Sequence, residues 1–251
     1  MASLIENLVE ELNYSSLNAN ITWKNEFIFI EKNDWDYIDC LQFQEKCVEL
    51  IYKKVFSKFS IVIFTNHPSC LTLGRGLQKK LTPGVGLLDF DESLRDKIQV
   101  PIYEIKRGGG ITFHHPGQLI IYPIINLSFH GLKVYPLMAK LFYILAEALN
   151  KQNVVGVDYC RDLLGLWFED KKIASIGVQL RRFVSFHGIA LNIKNDELIQ
   201  KELKRIYPCG LPGSCYSNVN DLFNVCIERS ELIKDFKFLC NELINEKNEF
   251  S

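Results

Sequence analysis

The chain has eight cysteines but no C-x-x-C pair, which excludes the ligand spacing of zinc ribbons and of thioredoxin-like redox centres. No metal site is expected. Scattered thiols without a disulfide framework indicate a reducing compartment. No apolar run is long enough to span a bilayer. Neither sign of charge is in excess: the formal net charge of −1 argues against nucleic acid or a membrane surface as partner, so electrostatic docking must be local. Before Lys24 there is no basic residue, and no apolar segment resembles a signal or transit peptide. The expected location is the cytoplasm, or an organelle matrix if a transit peptide has been trimmed. No repeat or low-complexity linker divides the 251 residues. A single domain is expected over 1–251, with about 1–25 as an N-terminal extension.

Within that chain the hydrophobic pattern predicts a strand at Glu26–Glu31, then an amphipathic helix from about Trp35 to Phe56. Short β runs follow at Ser60–Thr65, Cys70–Leu73 and Val100–Lys106, and Leu119–Leu127 is apolar enough for a strand buried on both faces. Tyr135–Leu149 reads as a helix. Leu163–Phe168, Lys172–Arg181 and Phe183–Ile193 read as a β meander, and Ser230–Glu246 as a closing helix. Strands outnumber helices without βαβ alternation, so the expected class is α+β, with a mixed, mainly antiparallel sheet flanked by helices.

Three segments carry chemistry. Arg107-Gly108-Gly109-Gly110-Ile111-Thr112-Phe113-His114-His115-Pro116-Gly117-Gln118 lies between two β runs; its glycines permit close backbone approach, but the order is not that of a phosphate loop. Lys171-Lys172-Ile173-Ala174-Ser175-Ile176-Gly177 opens a strand. Strict alternation places Lys172 on the face of Ala174 and Ile176, pointing inward, and leaves Lys171 in the turn. Pro208-Cys209-Gly210 fixes a cysteine in a constrained loop suited to presenting a thiol. Cys47, Cys226 and Cys240 fall at apolar or amphipathic-helix positions and are expected to be buried.

Taken in order, RGGGITFHHPGQLIIY, KKIASIG, RRFVSFHGIALNI and PCG resemble the lipoate-pathway octanoyltransferases, relatives of the lipoate and biotin protein ligases. Arg107, Gly108, Gly109, Thr112, Phe113, His114, Gly117, Gln118 and Tyr122 meet the family signature, and His67-Pro68 with Thr72-Leu73-Gly74 looks like its upstream segment. The resemblance implies the fold of the lipoate and biotin ligases. It also implies transfer of an octanoyl group, delivered on the phosphopantetheine of acyl carrier protein, to a lysine of a lipoyl domain, with no bound cofactor. The acceptors would be the lipoyl domains of 2-oxoacid dehydrogenase complexes and of the glycine cleavage system. By matching positions, Cys209 would be the acyl-thioester nucleophile and Lys172 its partner. Arg107 through His114 (with Gly110 and Ile111), Ser175, Ile176, Gly177, Gly188, Ile189 and Ala190 would line the acyl site.

Two alternatives share the fold. An ATP-dependent lipoate-protein ligase needs no cysteine, and a non-catalytic module would bind acyl carrier or lipoyl domains without turnover. His114, His115 and His187 compete with Lys172 for the role of base. Arg181, Arg182, Lys201, Lys204 and Arg205 are candidates for steering an acidic carrier to the site.

Overall fold

The computed structural model describes residues 18–76, 92–203 and 211–240. Cys209, Lys204 and Arg205 lie outside the described residues, as does the stretch 241–246 of the expected closing helix. Eleven strands are present among the described residues: β1 (Asn20–Lys24), β2 (Phe27–Lys32), β3 (Ser60–Thr65), β4 (Cys70–Leu73), β5 (Ile102–Glu104), β6 (Ile111–His114), β7 (Gln118–Ile124), β8 (Asp158–Cys160), β9 (Gly165–Phe168), β10 (Lys171–Arg181) and β11 (Val184–Asn192). The helices are α1 (Tyr37–Tyr52), α2 (Leu127–His130), α3 (Val134–Asn150), α4 (Glu197–Leu203), α5 (Val219–Phe223) and α6 (Arg229–Leu239).

Eight strands form one sheet in the order β1-β2-β3-β7-β11-β10-β9-β8, and β5-β4-β6 form a second, smaller one. Every pairing in the large sheet is antiparallel except β2 with β3. This is the mixed, mainly antiparallel α+β architecture the hydrophobic pattern indicates. Residues 20–24, read as part of an extension, supply an edge strand of the large sheet.

The large sheet is covered on both faces, which is why β3 and β7 are buried throughout. On one face α1 packs Cys40, Phe43, Cys47, Val48 and Ile51 against Ile28, Ile61, Ile63, Ile120 and Phe186. Those helix positions recur every three or four residues, one stripe of a helix. Asp36 starts the helix by accepting from the backbone N–H groups of Ile38 and Asp39, an N-cap that contributes about 1 kcal/mol. On the other face α3 and α6 bury Leu137, Leu141, Phe142, Leu145, Leu232 and Phe236 against Phe29, Val62, Phe64, Leu119 and Ile173. The small sheet has its own core of Leu71, Leu73, Ile98, Val100, Ile111 and Phe113. Cys40, Cys47, Cys70 and Cys240 are buried, but Cys226 is exposed. The expectation for Cys226 is therefore corrected: it lies on the short link between α5 and α6, where no apolar stripe directs it inward.

Candidate active site

The small sheet meets the large one through the glycine-rich segment that joins β5 to β6. Gly108 donates its backbone N–H to the Val178 carbonyl of β10 at 3.1 Å, and Gly74, Arg75 and Gly76 donate to the carbonyls of Gly110, Arg107 and Gly109. A Cβ at Gly177 would come 2.6 Å from the Gly108 carbonyl oxygen, so the two strands of backbone can touch here only because position 177 is glycine. Arg107 ties the junction together. Its guanidinium, 5% exposed, donates to the carbonyls of Gly108, Gly110 and Thr72 and to the hydroxyls of Thr72 and Thr112. Arg107 thus lines the cleft while its nitrogens hold protein atoms.

Between β6 on one side and β10 and β11 on the other runs a cleft of three limbs, each lined in part by Thr112 and Ser175. One limb, about 220 Å3, contains Lys172 together with Arg107, Gly109, Gly110, Ile111, Ile176 and the 162–164 turn. An inner pocket of about 20 Å3 is lined by Tyr37, His114, Tyr122, Gly177, His187, Gly188, Ile189 and Ala190. An outer limb of about 50 Å3 includes Phe113, His115, Asn192, Asp196 and Tyr216. Of the residues assigned to an acyl site from sequence, Gly108 alone lines none of these limbs; its place is the junction with Val178.

Lys172 reaches this cleft by a route that strict alternation does not give. Lys172 pairs with Trp167 of β9 but Ala174 already pairs with Leu166, so the register shifts by one residue between them. A bulge at this point places Lys172 and Ser175 on the cleft side while Ile173 and Ala174 join the core under α3, a core that Ile176 also enters while bordering the Lys172 limb. The expectation that Lys172 shares a face with Ala174 and Ile176 is corrected by this extra residue. Lys172 is 1% exposed; its Nζ donates to the Leu163 carbonyl at 2.7 Å and lies 5.6 Å from the Trp167 ring and 6.0 Å from the Tyr216 ring. Lys171, by contrast, is bonded to Asp170 and to the Ser214 carbonyl at the surface.

The histidines are held neutral. His67 donates from Nδ1 to the Trp35 carbonyl at 2.7 Å, which leaves Nε2 to accept from the Tyr122 hydroxyl at 2.9 Å. Burial pushes its pKa down to about 4. Gln118 donates to the Phe113 carbonyl and to Asn192 Oδ1, so its own oxygen is turned to receive His114 Nδ1. Burial holds His114 well below the ordinary histidine range, and pushes His115 to about 4 and His187 to about 3. His114 and His187 line the inner pocket and His115 the outer limb; none lines the Lys172 limb.

Two expectations about docking charge change. Arg181 is paired with Glu45 and Arg182 with Glu49 of α1, and Arg181 lies nine positions along β10 from Lys172, roughly 30 Å of strand. They brace the β10–β11 turn against α1, at the end of β10 away from the Lys172 limb. Tyr37, Leu163 and Tyr216 are cleft residues that the sequence does not announce. Leu163 acts through its carbonyl and Tyr37 reads as one more apolar position of α1, so neither leaves a mark in side-chain chemistry.

The family profile described as the lipoyl protein ligase A/B catalytic domain matches residues 36–237. Among curated relatives, an octanoyltransferase of Prochlorococcus marinus is 34% identical over 187 residues, covering 74% of this chain and 70% of its own length. A chloroplastic octanoyltransferase of Arabidopsis thaliana is 28% identical over 218 residues, covering 82% and 72%. Two solved structures share the fold at 13% identity: lipoate-protein ligase A bound with ATP, at a TM-score of 0.55 over 88% of this chain and 85% of that one, and a lipoate protein ligase homologue from T. acidophilum with bound lipoic acid, at 0.58 over 88% and 86%.

Proposed function

The chain belongs to the lipoyl protein ligase A/B catalytic domain family, and from that premise we propose how it acts as an octanoyltransferase in protein lipoylation. The donor is octanoyl acyl carrier protein, Cys209 carries the acyl group between two half-reactions, and the acceptor is a lysine of a lipoyl domain. The observation that supports this most directly is the placement of Lys172, buried, held through Leu163 and aimed into the cleft beside Ser175.

In the first half-reaction the Cys209 thiolate attacks the carrier thioester. A carbon–sulfur bond to Cys209 forms, the bond to the pantetheine sulfur breaks, and the released thiolate takes up the proton of the Lys172 ammonium. One thioester replaces another, so the exchange is close to balanced. A free thiol near pKa 8.5 is only a few per cent thiolate at neutrality, and a neighbouring ammonium raises that fraction. Lys172 is assigned that role. In the second half-reaction the acceptor amine attacks the Cys209 thioester, the carbon–nitrogen bond forms and the carbon–sulfur bond breaks. The amine must shed a proton. Lys172, left neutral after giving its proton to the pantetheine thiolate and no longer facing a Cys209 charge once the thiol is acylated, takes that proton, and Cys209 leaves as the thiolate, which restores the starting pair.

The acyl chain occupies the cleft lined by Gly109, Ile111, Ile176, Ile189 and Ala190. Its six methylenes gain roughly 5 kcal/mol on burial, at about 0.8 kcal/mol each. Lipoyl domains of 2-oxoacid dehydrogenase complexes and of the glycine cleavage system are the acceptors in this reading. No helix among the described residues is long and apolar enough to cross a membrane, and the reaction belongs in the cytoplasm or an organelle matrix, where both carrier and acceptor reside.

Incubation with octanoyl acyl carrier protein, without ATP, followed by intact mass tests the route. An octanoyl adduct is expected on the wild type and absent from Cys209→Ser. An ATP requirement would move the chain to the ligase reading, and tight lipoyl-domain binding without product in either protein would make it a binding module.

A further inference from the structure

The inner pocket contains a buried donor that octanoyl transfer leaves unused. Tyr37 opens α1, is 3% exposed, and its hydroxyl has no hydrogen-bond partner among the described residues. Its ring is held between neighbours: stacked on Tyr103 at 5.4 Å and on His114 at 5.5 Å, and edge-on to His67 at 5.2 Å. A ring clamped this way cannot swing its hydroxyl to another acceptor. The polar groups beside it are committed, Tyr122 to His67 and His114 Nδ1 to Gln118.

The pocket that Tyr37 lines has a volume of about 20 Å3, enough for one group the size of a water molecule or a methyl. It adjoins the Lys172 limb through Arg107, Thr112 and Ser175, which line both. Ser175 stands three residues along β10 from Lys172, about 10 Å of strand, and Gly177 two residues further. The pocket is therefore reached from the Lys172 limb along the line an acyl chain would follow.

We propose that this pocket is the end stop of the acyl slot and selects the far end of the chain by polarity, the Tyr37 hydroxyl receiving a terminal oxygen in preference to a methyl of the same size. The inference rests on the octanoyl-transfer reading above. An eight-carbon chain stops at the mouth of the pocket and leaves Tyr37 solvated by one water. A ninth carbon displaces that water and buries the hydroxyl unpaired, a penalty larger than the gain from one methylene. Length is limited by an unpaired donor, not by bulk.

The test uses the full chain with three carrier-protein thioesters, octanoyl, nonanoyl and 8-hydroxyoctanoyl, and reads kcat/KM for acylation of Cys209. The last two differ only in a methyl or a hydroxyl at the chain end. The wild type is expected to use 8-hydroxyoctanoyl faster than nonanoyl. Tyr37→Phe, which keeps the ring contacts, is expected to lower the ratio of 8-hydroxyoctanoyl to nonanoyl by roughly five- to tenfold, the value of one hydrogen bond. An unchanged ratio overturns the proposal. Should the Phe variant fail to fold, the wild-type comparison decides, since faster use of nonanoyl shows an apolar stop. A wild type that forms no adduct from octanoyl carrier removes the transfer reading, and with it this role for the pocket. Acylation by octanoyl with an indifferent Tyr37 removes only the present inference.

Discussion

The Lys172 side chain passes directly over Gly165, so that a Cβ on Gly165 would run into Lys172 Cε and stand 2.7 Å from the Ala174 carbonyl. Gly165 is therefore the floor on which the lysine lies, in the strand that pairs across the bulge. Gly165→Ala is expected to push Lys172 off the Leu163 carbonyl. Overpacking of this kind costs about 1–3 kcal/mol of stability, visible in a denaturant melt, and octanoyl transfer should fall at least tenfold. If Gly165 acts only through Lys172, Gly165→Ala on a Lys172→Ala background loses nothing further in transfer. Wild-type turnover in Gly165→Ala would show that the lysine's position is not set there.

A second expectation concerns proton handling. Lys172→Ala should slow alkylation of Cys209 at neutral pH, because the charge that favours the thiolate is gone, while at pH well above 9 the two proteins converge. Monitoring iodoacetamide modification of Cys209 by peptide mass across pH 6–10 checks this. An unchanged profile with unchanged turnover would transfer the role elsewhere. Lys171 is a poor substitute because it is bonded to Asp170 and the Ser214 carbonyl at the surface.

Much of this was legible in the sequence, for physical reasons that also mark the limit. The runs of β2, β3 and β7 each hold an unbroken apolar stretch, Phe27–Ile30, Ile61–Phe64 and Leu119–Ile121, and α1 and α3 carry their stripes at helical spacing, so the elements and the two-faced sheet follow from periodicity. The arginine, glycines and threonine of the Arg107–Thr112 segment are unusual company and mark the cleft. What alternation alone cannot supply is a bulge. Period-2 reasoning puts Lys172 with Ala174, and only the one-residue register shift opposite Trp167 and Leu166 puts it with Ser175. Nor does sequence distinguish an arginine that meets a ligand from one that, like Arg107, binds Thr72 and Thr112.

That distinction gives a third expectation. Arg107→Lys keeps the charge but replaces a planar fork reaching five oxygens with a single ammonium, which cannot span Thr72, Thr112 and the Gly110 carbonyl together. Leaving buried acceptors unpaired costs about 1–3 kcal/mol each. A loss of at least 2 kcal/mol of stability is expected, with faster amide exchange at Gly108 and Thr112. If Arg107 served only the acyl group, Arg107→Lys would change KM and leave the melt where it was.

The buried histidines make stability depend on pH in a definite direction. In the unfolded chain His67 titrates near 6.5, but in the fold burial pushes it down to about 4. Below pH 6.5 the unfolded state binds a proton that the folded state refuses, so stability is complete above that pH and declines as pH falls toward 4. A depression of this size corresponds to about 3 kcal/mol for His67 by pH 4, of which about 2 kcal/mol is already lost at pH 5. His115 and His187 are displaced the same way and steepen the decline. Urea unfolding at pH 7.5, 6 and 5 should show the midpoint falling monotonically. In His67→Gln, whose amide retains a donor for Trp35 and an acceptor for Tyr122, the slope should be shallower than in the wild type even though the absolute stability at pH 7.5 is lower. A slope that His67→Gln leaves unchanged would mean that protons enter through the other histidines before His67 is exposed.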